Sequence, residues 1–222
     1  MFIVIEGLDG SGKSTQLQML REYLQSRNIP YEYVHFPRTD SPFFGELIAR
    51  FLRGDLGSND TVDPYLVALL YAGDRRDAAP TIRQWLKEGK MVVADRYVFS
   101  NIAYQCAKID DIHLKNDLKN WILKLEYEYF GIPAPDLNIF LDVPMHFVEK
   151  NLSAARIGDD RNYLKGNTDI HEEDLNFQRK VRDTYLWIVQ SEPTMRVIPC
   201  YDKNEMLPAE KVFHRLKNEI GL

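Results

Sequence analysis

Cysteine is scarce in this chain, because only Cys106 and Cys200 occur among its 222 residues and they lie far apart. Neither stands in a metal-ligand spacing, which argues against a zinc site, and two distant thiols do not form a disulfide framework. The few histidines add no metal site, since His35, His113 and His146 share no ligand spacing. We therefore expect a protein of a reducing compartment, the cytoplasm.

Long apolar runs and an excess of positive charge are also missing. No stretch of about 18 apolar residues occurs, which argues against a membrane span. The first residues carry no basic lead-in or small-residue cleavage site, so we expect no signal peptide. With 28 Lys and Arg against 33 Asp and Glu, the net charge of −5 argues against binding to a nucleic acid polymer.

The composition is that of a globular protein, with 45% hydrophobic and 27% charged residues. We expect one domain over residues 1–222. Short β-branched runs alternate with longer amphipathic segments, the pattern of βαβ units and an α/β fold with a parallel sheet. Five strands are predicted, at Phe2–Glu6, Tyr31–Phe36, Met91–Asp95, Leu137–Asp142 and Arg196–Cys200.

The helices are predicted from apolar spacing and from capping residues. Asp63-Pro64 has the form of a helix cap followed by a first-turn proline, and Pro80 predicts a break or bend before a further helix that ends at Gly89. The polar stretch 156–168 is expected to be a mobile lid. The other helices are predicted at Lys13–Arg27, Ser100–Lys108, Leu114–Phe130, Met145–Ala155, Glu172–Gln190 and Pro208–Glu219.

A glycine-rich loop follows the first strand and leads into the first helix. In this context its backbone N–H groups form a nest for phosphates, Lys13 bridges the β- and γ-phosphates, and the Ser14 hydroxyl coordinates Mg²⁺. A glycine-rich connector with a surface lysine is the alternative, and the strand before and helix after argue against it. The predicted ATP-binding residues are Gly7, Leu8, Asp9, Gly10, Ser11, Gly12, Lys13, Ser14 and Thr15.

Further polar residues follow the predicted strands, where open α/β sheets bind their ligands. Asp95 is a candidate Mg²⁺ ligand, and Arg96 a candidate clamp for an acceptor phosphate, although a strand-end salt bridge is the alternative. Phe36-Pro37-Arg38 adds a ring and a second arginine. Tyr71 and Arg75 lie four residues apart on one helix face, where one can stack on a nucleotide base and the other can bond its edge. The alternative is that Tyr71 is a structural aromatic and Arg75 a surface arginine.

A phosphate loop alone leaves motors, switches and kinases open. No Asn-Lys-x-Asp motif for reading guanine occurs, which argues against a GTP switch. The two arginines favour a phosphorylated acceptor. A kinase acting on another nucleotide or on a deoxynucleoside, and a regulatory or inactive nucleotide-binding module, remain as alternatives.

Several motifs follow one another over nearly the whole chain. They are the phosphate loop, Phe36-Pro37-Arg38, Leu70-Tyr71-Ala72-Gly73-Asp74-Arg75, Asp95-Arg96-Tyr97, Ser100-Asn101, Tyr104-Gln105, Pro135-Asp136-Leu137 and Leu141-Asp142-Val143-Pro144. In order and spacing, these motifs together resemble thymidylate kinase. The resemblance implies a P-loop nucleoside triphosphate hydrolase fold, a three-layer sandwich with a five-stranded parallel sheet, a homodimer, and transfer of phosphate from ATP to dTMP with Mg²⁺.

The resemblance also implies roles for individual residues in binding dTMP. Arg38 and Arg96 would hold its phosphate, Phe36 and Tyr71 would contact thymine, and Arg75 would bond its edge. Ser100 would line the pocket, Asn101 would face the base or sugar, Tyr104 would crowd a ribose 2′-OH, and Asp9 would reach the 3′-OH. Glu172 would contact water or metal near the sugar, while Asp169 before it has helix capping as an equal alternative.

Two departures from the family pattern bear on specificity and catalysis. Tyr71 stands where the family usually has phenylalanine, so its hydroxyl needs a partner. Gly10 and Ser11 stand where some members place a catalytic arginine in the loop. The resemblance is therefore to the bacterial-like type with arginines in the lid, and the catalytic residues are expected to be Asp9, Lys13, Arg96, Arg156 and Arg161. The adenine pocket is guessed from topology to lie near residues 201–203.

Overall fold

A five-stranded parallel sheet forms the centre of the molecule, as expected from the sequence. The computed structural model describes residues 1–153, 163–166, 169–172 and 174–222. The strand order is β2-β3-β1-β4-β5. The strands are β1 (Phe2–Gly7), β2 (Tyr31–His35), β3 (Met91–Asp95), β4 (Leu137–Asp142) and β5 (Met195–Pro199), and the predicted α/β class is confirmed.

The register of the strands gathers their polar ends at one edge. Ile5 of β1 and His35 of β2 both pair with Asp95 of β3, and Gly7 pairs with Leu141 of β4. Because all these strands are parallel, their carboxyl ends meet along this edge. The glycine-rich loop and the predicted acceptor residues therefore begin side by side.

Helices cover both faces of the sheet. One face carries α1 and α8, which contact each other, and the other carries α3, α4 and α7. No helix in the described part of the chain is long and apolar enough to cross a membrane. The helices are α1 (Lys13–Ser26), α2 (Phe44–Leu52), α3 (Pro64–Lys87), α4 (Val98–Cys106), α5 (Ile112–Leu123), α6 (Met145–Ser153), α7 (Leu175–Val189) and α8 (Ala209–Ile220).

Of the break or bend expected at Pro80, the break does not occur, because α3 runs through this residue as one helix of 24 residues. Proline removes one N–H and crowds the preceding turn. Here the ring points to solvent, while Ala78, Ala79 and Ile82 are buried on the opposite face. Packing on both sides of Pro80 outweighs the lost hydrogen bond. The cap was predicted correctly, since the Asp63 side chain accepts from two N–H groups of the first turn.

The sequence did not predict α2, which packs tightly on α3. A Cβ added at Gly73 of α3 would lie 2.2 Å from the ring of Phe44, so only glycine permits this approach. Ile48, Phe51, Leu52 and Val67 form a second hydrophobic cluster, against which Tyr163 and Ile170 pack. The segment after the predicted lid is therefore docked on α2.

Two other predicted boundaries are corrected, and one further element was not predicted. The helix expected at Leu114–Phe130 ends at Leu123, and a π-helical turn, Lys124–Tyr129, follows it. The helix expected from Glu172 begins at Leu175 and is capped by Asp174, so Asp169 is not its cap. A short hairpin after β5, Tyr201–Asp202 with Glu205–Met206, was not predicted because two-residue strands carry no period.

Lys108, just after α4, has a buried ammonium group. Its Nζ has no hydrogen-bond partner among residues 1–153, 163–166, 169–172 and 174–222, and it lies 5.2 Å from the centroid of the Phe51 ring. Burial lowers the pKa of this amine to about 8, although Asp60 and Asp63 oppose the shift. The charged form is thus disfavoured in the folded protein.

We expect Lys108→Met to raise the free energy of unfolding at pH 7 by about 1–3 kcal/mol, since the unfolded lysine titrates near 10.4. In the wild type, stability should rise with pH between about 8 and 10, where the unfolded chain binds more protons than the folded one. Urea unfolding across this range measures both effects. The exposed Lys87→Met is the control, and an unchanged pH slope in Lys108→Met would contradict this account.

Candidate active site

The glycine-rich loop between β1 and α1 is built to hold an anion. Gly10 and Gly12 have φ of 73° and 83°, values that side chains disfavour. Gly12 is also the N-terminal cap of α1 and provides no side chain for it. The first N–H groups of the helix, with the positive end of its dipole, are therefore available to a phosphate.

Two hydrogen bonds that the sequence did not predict hold this loop and the helix after it. Asn151 of α6 donates from Nδ2 to the carbonyl of Gly10 at 2.7 Å. A Cβ at Gly10 would meet Cβ of Asn151 at 3.2 Å, so the loop and α6 are closely packed. Gln16 of α1 donates to the carbonyl of Ala209 at 3.1 Å, which joins the loop helix to α8. These polar helix residues gave no distinguishing signal in the sequence.

Lys13 lies inside the loop, and only 9% of it is exposed. Its Nζ donates to the carbonyl of Leu8 at 3.4 Å. Burial and the nearby Arg96 guanidinium lower the pKa of this amine, while Asp95, Asp9 and Glu6 oppose the shift. Two cations thus share one region, which makes it favourable for an anion.

One cavity of about 740 Å³ connects this loop with the acceptor side. Its size lies in the range of small-molecule sites. It brings together most of the residues that sequence reasoning selected. These are Asp9, Lys13, Ser14, Phe36, Arg38, Tyr71, Arg75, Asp95, Arg96, Ser100, Asn101, Tyr104 and Glu172.

Asp9 and Arg96 form the centre of the cavity. Nη2 of Arg96 donates to Oδ1 of Asp9 at 2.8 Å, and the Tyr104 hydroxyl donates to Oδ2 at 2.7 Å. Burial would raise the pKa of Asp9, but Arg96 and Lys13 together hold it well below its usual range. Asp9 is therefore an anion that positions the arginine and tyrosine of the acceptor side.

Glu6, the residue before the loop, is a functional residue that sequence reasoning missed. It is fully buried and accepts hydrogen bonds from the N–H groups of Tyr97 at 3.1 Å and Ser100 at 3.2 Å. The hydroxyls of Ser100 and Tyr185 also donate to it. Burial raises the pKa of this carboxyl, and these bonds oppose the shift. A charged residue at the end of an otherwise apolar strand was the available signal.

Asp95 has the features of a cation ligand at the mouth of the cavity. Its Oδ2 lies 3.2 Å from Nδ1 of His35, while Oδ1 has no hydrogen-bond partner within the described ranges. Burial would raise the pKa of Asp95, but Lys13 and His35 lower it below its usual value. A buried, unpaired carboxylate oxygen suits a hard cation such as Mg²⁺. The described residues contain no cluster of three His, Cys, Asp or Glu side chains that could hold a metal.

Arg38 reaches the cavity from the loop after β2 and is fixed by Asp74 of α3. Its backbone N–H and its Nε donate to the Asp74 carboxylate at 2.8 and 2.9 Å, and Nη2 donates to the Asp74 carbonyl at 2.8 Å. A Cβ at Gly45 would lie 2.1 Å from the carbonyl of Arg38, so α2 closes this turn from the other side. From the sequence, Asp74 was recognised as part of a motif but was given no role.

Arg75 and Asn101 line the cavity, and both are held by Glu126. Arg75, predicted to lie on a helix surface or at a base edge, is 1% exposed and donates twice to this carboxylate. Gln105 also lines the cavity, and both of its side-chain polar atoms are buried without a partner in the described part of the chain. Unpaired buried polar atoms are costly, so they indicate a polar ligand.

The segment after the predicted lid closes the cavity. Asp169 accepts from the Tyr163 hydroxyl at 2.7 Å and from the N–H of His171 at 2.8 Å. Burial and the neighbouring Asp9 raise the pKa of Asp169 to about 7, and burial lowers that of His171 to about 3. Arg156 and Arg161 lie outside the described residues, as do most of residues 156–168.

Residues 201–203, where the adenine pocket was predicted, lie beside a cluster of polar side chains. The Tyr201 hydroxyl donates to Oδ2 of Asp142 at 3.2 Å, and Arg182 of α7 makes a bidentate pair with the same carboxylate at 2.6 and 2.9 Å. Tyr201 does not line the main cavity. The position of the adenine pocket near residues 201–203 therefore stays a prediction.

Comparison with known proteins gives one consistent result. A family model described as thymidylate kinase matches residues 5–208. A probable thymidylate kinase of Pyrococcus horikoshii is 34% identical over 199 residues, which cover 89% of this chain and 86% of that protein. The thymidylate kinase of Plasmodium falciparum is 31% identical over 188 residues, 83% of this chain and 75% of the relative. Among solved structures, that of thymidylate kinase from Candida albicans matches with a TM-score of 0.70 and 29% identity, over 99% of this chain and 90% of the other.

We expect Glu6→Ala to lower the free energy of unfolding by about 3–5 kcal/mol, because removal of a buried carboxylate leaves its donors unpaired. Tyr185→Phe removes one donor and should cost only about 1 kcal/mol. Urea denaturation of both variants measures this graded series. If Glu6→Ala had the same free energy of unfolding as the wild type, the four hydrogen bonds of Glu6 would not hold the site.

Proposed function

The chain belongs to the thymidylate kinase family, and from this premise we propose how its residues transfer the γ-phosphate of ATP to dTMP, giving ADP and dTDP. The observation that carries the proposal is the single cavity that joins the phosphate loop to the acceptor arginines. A donor and an acceptor bound there meet without crossing solvent.

The donor side binds the triphosphate of ATP. The N–H groups of the loop and of the first turn of α1 cradle the phosphates, and Lys13 contacts the β- and γ-phosphates. A phosphate would compensate the burial that now lowers the pKa of Lys13. Asp95 and Ser14 are the residues that would hold Mg²⁺, which when bound neutralises phosphate charge.

The acceptor side binds the phosphate and sugar of dTMP. Arg96 and Arg38 clamp the phosphate, because each is already fixed by a carboxylate and presents a rigid fork. The Tyr104 hydroxyl, bonded to Asp9 at 2.7 Å, crowds the position of a ribose 2′-OH. Asp9 accepts from the 3′-OH, and Glu172 at the far wall contacts the sugar through water or metal.

The base lies between aromatic and polar side chains. Phe36 packs against Tyr97, with ring centroids 5.5 Å apart, and contacts one side of thymine. Tyr71 stacks on the other side, and burial together with the Asp169 carboxylate raises the pKa of its hydroxyl, which Arg96 opposes. Arg75 donates to a carbonyl of the base edge, and Asn101 faces the same edge.

The reaction is a direct displacement. An oxygen of the dTMP phosphate attacks the γ-phosphorus of ATP, the bond from phosphorus to the β–γ bridging oxygen breaks, and ADP leaves with that electron pair. Positioning and neutralisation of charge supply most of the rate, so no covalent intermediate is needed. Lys13 and Arg96 approach the two sides of the transferred group.

We assign the remaining catalytic charge to the lid, as in the bacterial-like type. The phosphate loop carries Gly10 and Ser11 where an arginine would otherwise stand. Arg156 and Arg161 are the arginines available in the lid segment, and the cavity is lined by Tyr163 within that segment and by Asp169 just after it. Closure would also exclude water and suppress ATP hydrolysis.

We also infer that the chain acts as one domain in a cytoplasmic homodimer. Leu66 and Leu69 of α3 are 61% and 39% exposed, and Tyr129 is 81% exposed. Exposed apolar side chains of this size support an interface. The neighbouring aromatic side chains Trp121, Tyr127 and Phe130 pack against the core. Both cysteines are free and buried, which fits a reducing compartment.

A coupled ADP-release assay with ATP, Mg²⁺ and a panel of acceptors tests the function. We expect kcat/KM for dTMP to exceed that for UMP and AMP by about a hundredfold or more, because of the 2′-OH and base contacts. The panel also contains dUMP, dCMP and thymidine. Preference for UMP or thymidine would assign a different kinase activity, and ATP binding without turnover would indicate a regulatory module.

The lid mechanism is tested with Arg156→Ala and Arg161→Ala. An arginine that acts only in the transition state lowers kcat, by about 10³-fold, and leaves KM little changed. Steady-state kinetics for ATP and dTMP separate the two parameters. Arg27→Ala, at the exposed end of α1, is the control. Wild-type kcat in both lid variants would refute the assignment.

A further inference from the structure

Glu126 is a buried carboxylate without a place in phosphate transfer. It lies in the π-helical turn Lys124–Tyr129 and is fully buried. A π-helical turn inserts an extra residue into a helix, and such turns are frequent at functional sites. Here the turn directs one acidic side chain inward, while Glu128 in the same turn remains exposed.

The Glu126 carboxylate accepts from both residues proposed to read the base. Its Oε2 accepts from Nε of Arg75 at 2.5 Å and its Oε1 from Nη2 at 2.7 Å, a bidentate pair. Oε1 also accepts from Nδ2 of Asn101 at 3.1 Å. Both charged side chains are almost completely buried. The exposed fraction of the side chain is 2% for Arg75 and 0% for Glu126. One group thus fixes the orientation of two others.

These contacts fix the orientation of the Asn101 side-chain amide, that is, the positions of its Nδ2 and Oδ1 atoms. Its Nδ2 donates to two acceptors, the carbonyl of Ala68 at 3.0 Å and the Glu126 carboxylate. A carboxylate can only accept, so the NH₂ group must point to Glu126. The Asn101 Oδ1 is buried and has no partner in the described part of the chain. It is therefore available as an acceptor.

The polarity of the base-reading edge follows from these contacts. Arg75 can only donate, and Asn101 is held with its oxygen free to accept. Thymine has an acceptor at O4 and a donor at N3–H, which match that pair. Cytosine has the reverse, an amino donor at position 4 and an acceptor at N3. A site with a fixed donor and acceptor rejects the reversed pattern by leaving buried groups unpaired.

We propose that Glu126 is a positioning residue that sets discrimination between dTMP and dCMP. It holds the Arg75 guanidinium as a donor and locks the Asn101 amide as an acceptor, so that the pocket selects a 4-keto pyrimidine. The inference rests on the proposed function, because it assumes that the base of the acceptor lies against these two residues. It adds a residue outside the cavity to the determinants of specificity.

The test compares Glu126→Gln with the matched control Glu128→Gln, an exposed carboxylate two residues away. A glutamine can donate as well as accept, so it permits Asn101 to reverse. We expect the ratio of kcat/KM for dTMP to that for dCMP to fall about tenfold or more, mainly through a higher KM for dTMP. The KM for ATP should change less than about twofold, because the donor side is untouched. Glu128→Gln should match the wild type.

Asn101→Ala keeps the proposal testable where Glu126→Gln does not fold. It removes the acceptor directly and should lower the same ratio, and the double variant should lose no more discrimination than the larger single loss. An unchanged dTMP-to-dCMP ratio in a folded Glu126→Gln or in Asn101→Ala would overturn the proposal. A wild-type enzyme that does not prefer dTMP to dCMP would instead count against the proposed function.

Discussion

The hydrogen bonds to the buried Glu6 carboxylate set the position of the acceptor side relative to the donor side. Nη1 of Arg96 donates to the Ser100 hydroxyl at 3.2 Å, and that hydroxyl donates to Glu6. Glu6 also receives two N–H groups at the start of α4, the helix that carries Asn101 and Tyr104. Because Glu6 directly precedes the phosphate loop, a short path of hydrogen bonds links this loop with Arg96 and with the start of α4. Ser100, expected only to line the pocket, is the bridge in this path.

Each arginine of the acceptor side has its own carboxylate, and these pairs set geometry more than stability. Arg96 pairs with Asp9, Arg38 with Asp74, and Arg75 with Glu126. Burying such pairs costs desolvation that their attraction only partly returns. The gain is that each guanidinium is already oriented when the substrate arrives, so little side-chain entropy is lost on binding. The arginines can then hold an anion while their buried charge remains compensated.

β1, β3 and β4 could be predicted because burial on both faces leaves a nearly continuous apolar run, and the bounds of β3 and β4 agree with prediction. The residues at their carboxyl ends followed from the rule that parallel sheets bind ligands there. The partners could not be predicted, because Asp74 and Glu126 look like surface charges in the sequence, and Glu126 is 51 residues from Arg75. The π-helical turn that buries Glu126 has no periodic signal, and α2 depends on the tight fit of Phe44 on Gly73.

This tight fit of α2 also links two parts of the cavity wall. The helix begins against the turn that holds Arg38, since Gly45 touches the Arg38 carbonyl. It ends at Leu52, whose carbonyl accepts from the N–H of Ile170 at 3.0 Å, and the next residue, Arg53, donates to the carbonyl of Tyr163 at 2.7 Å. A packed helix moves as a unit rather than bending. α2 therefore connects the turn that holds Arg38 with Tyr163 and Ile170, so that Arg38 and Tyr163, which both line the cavity, share one support.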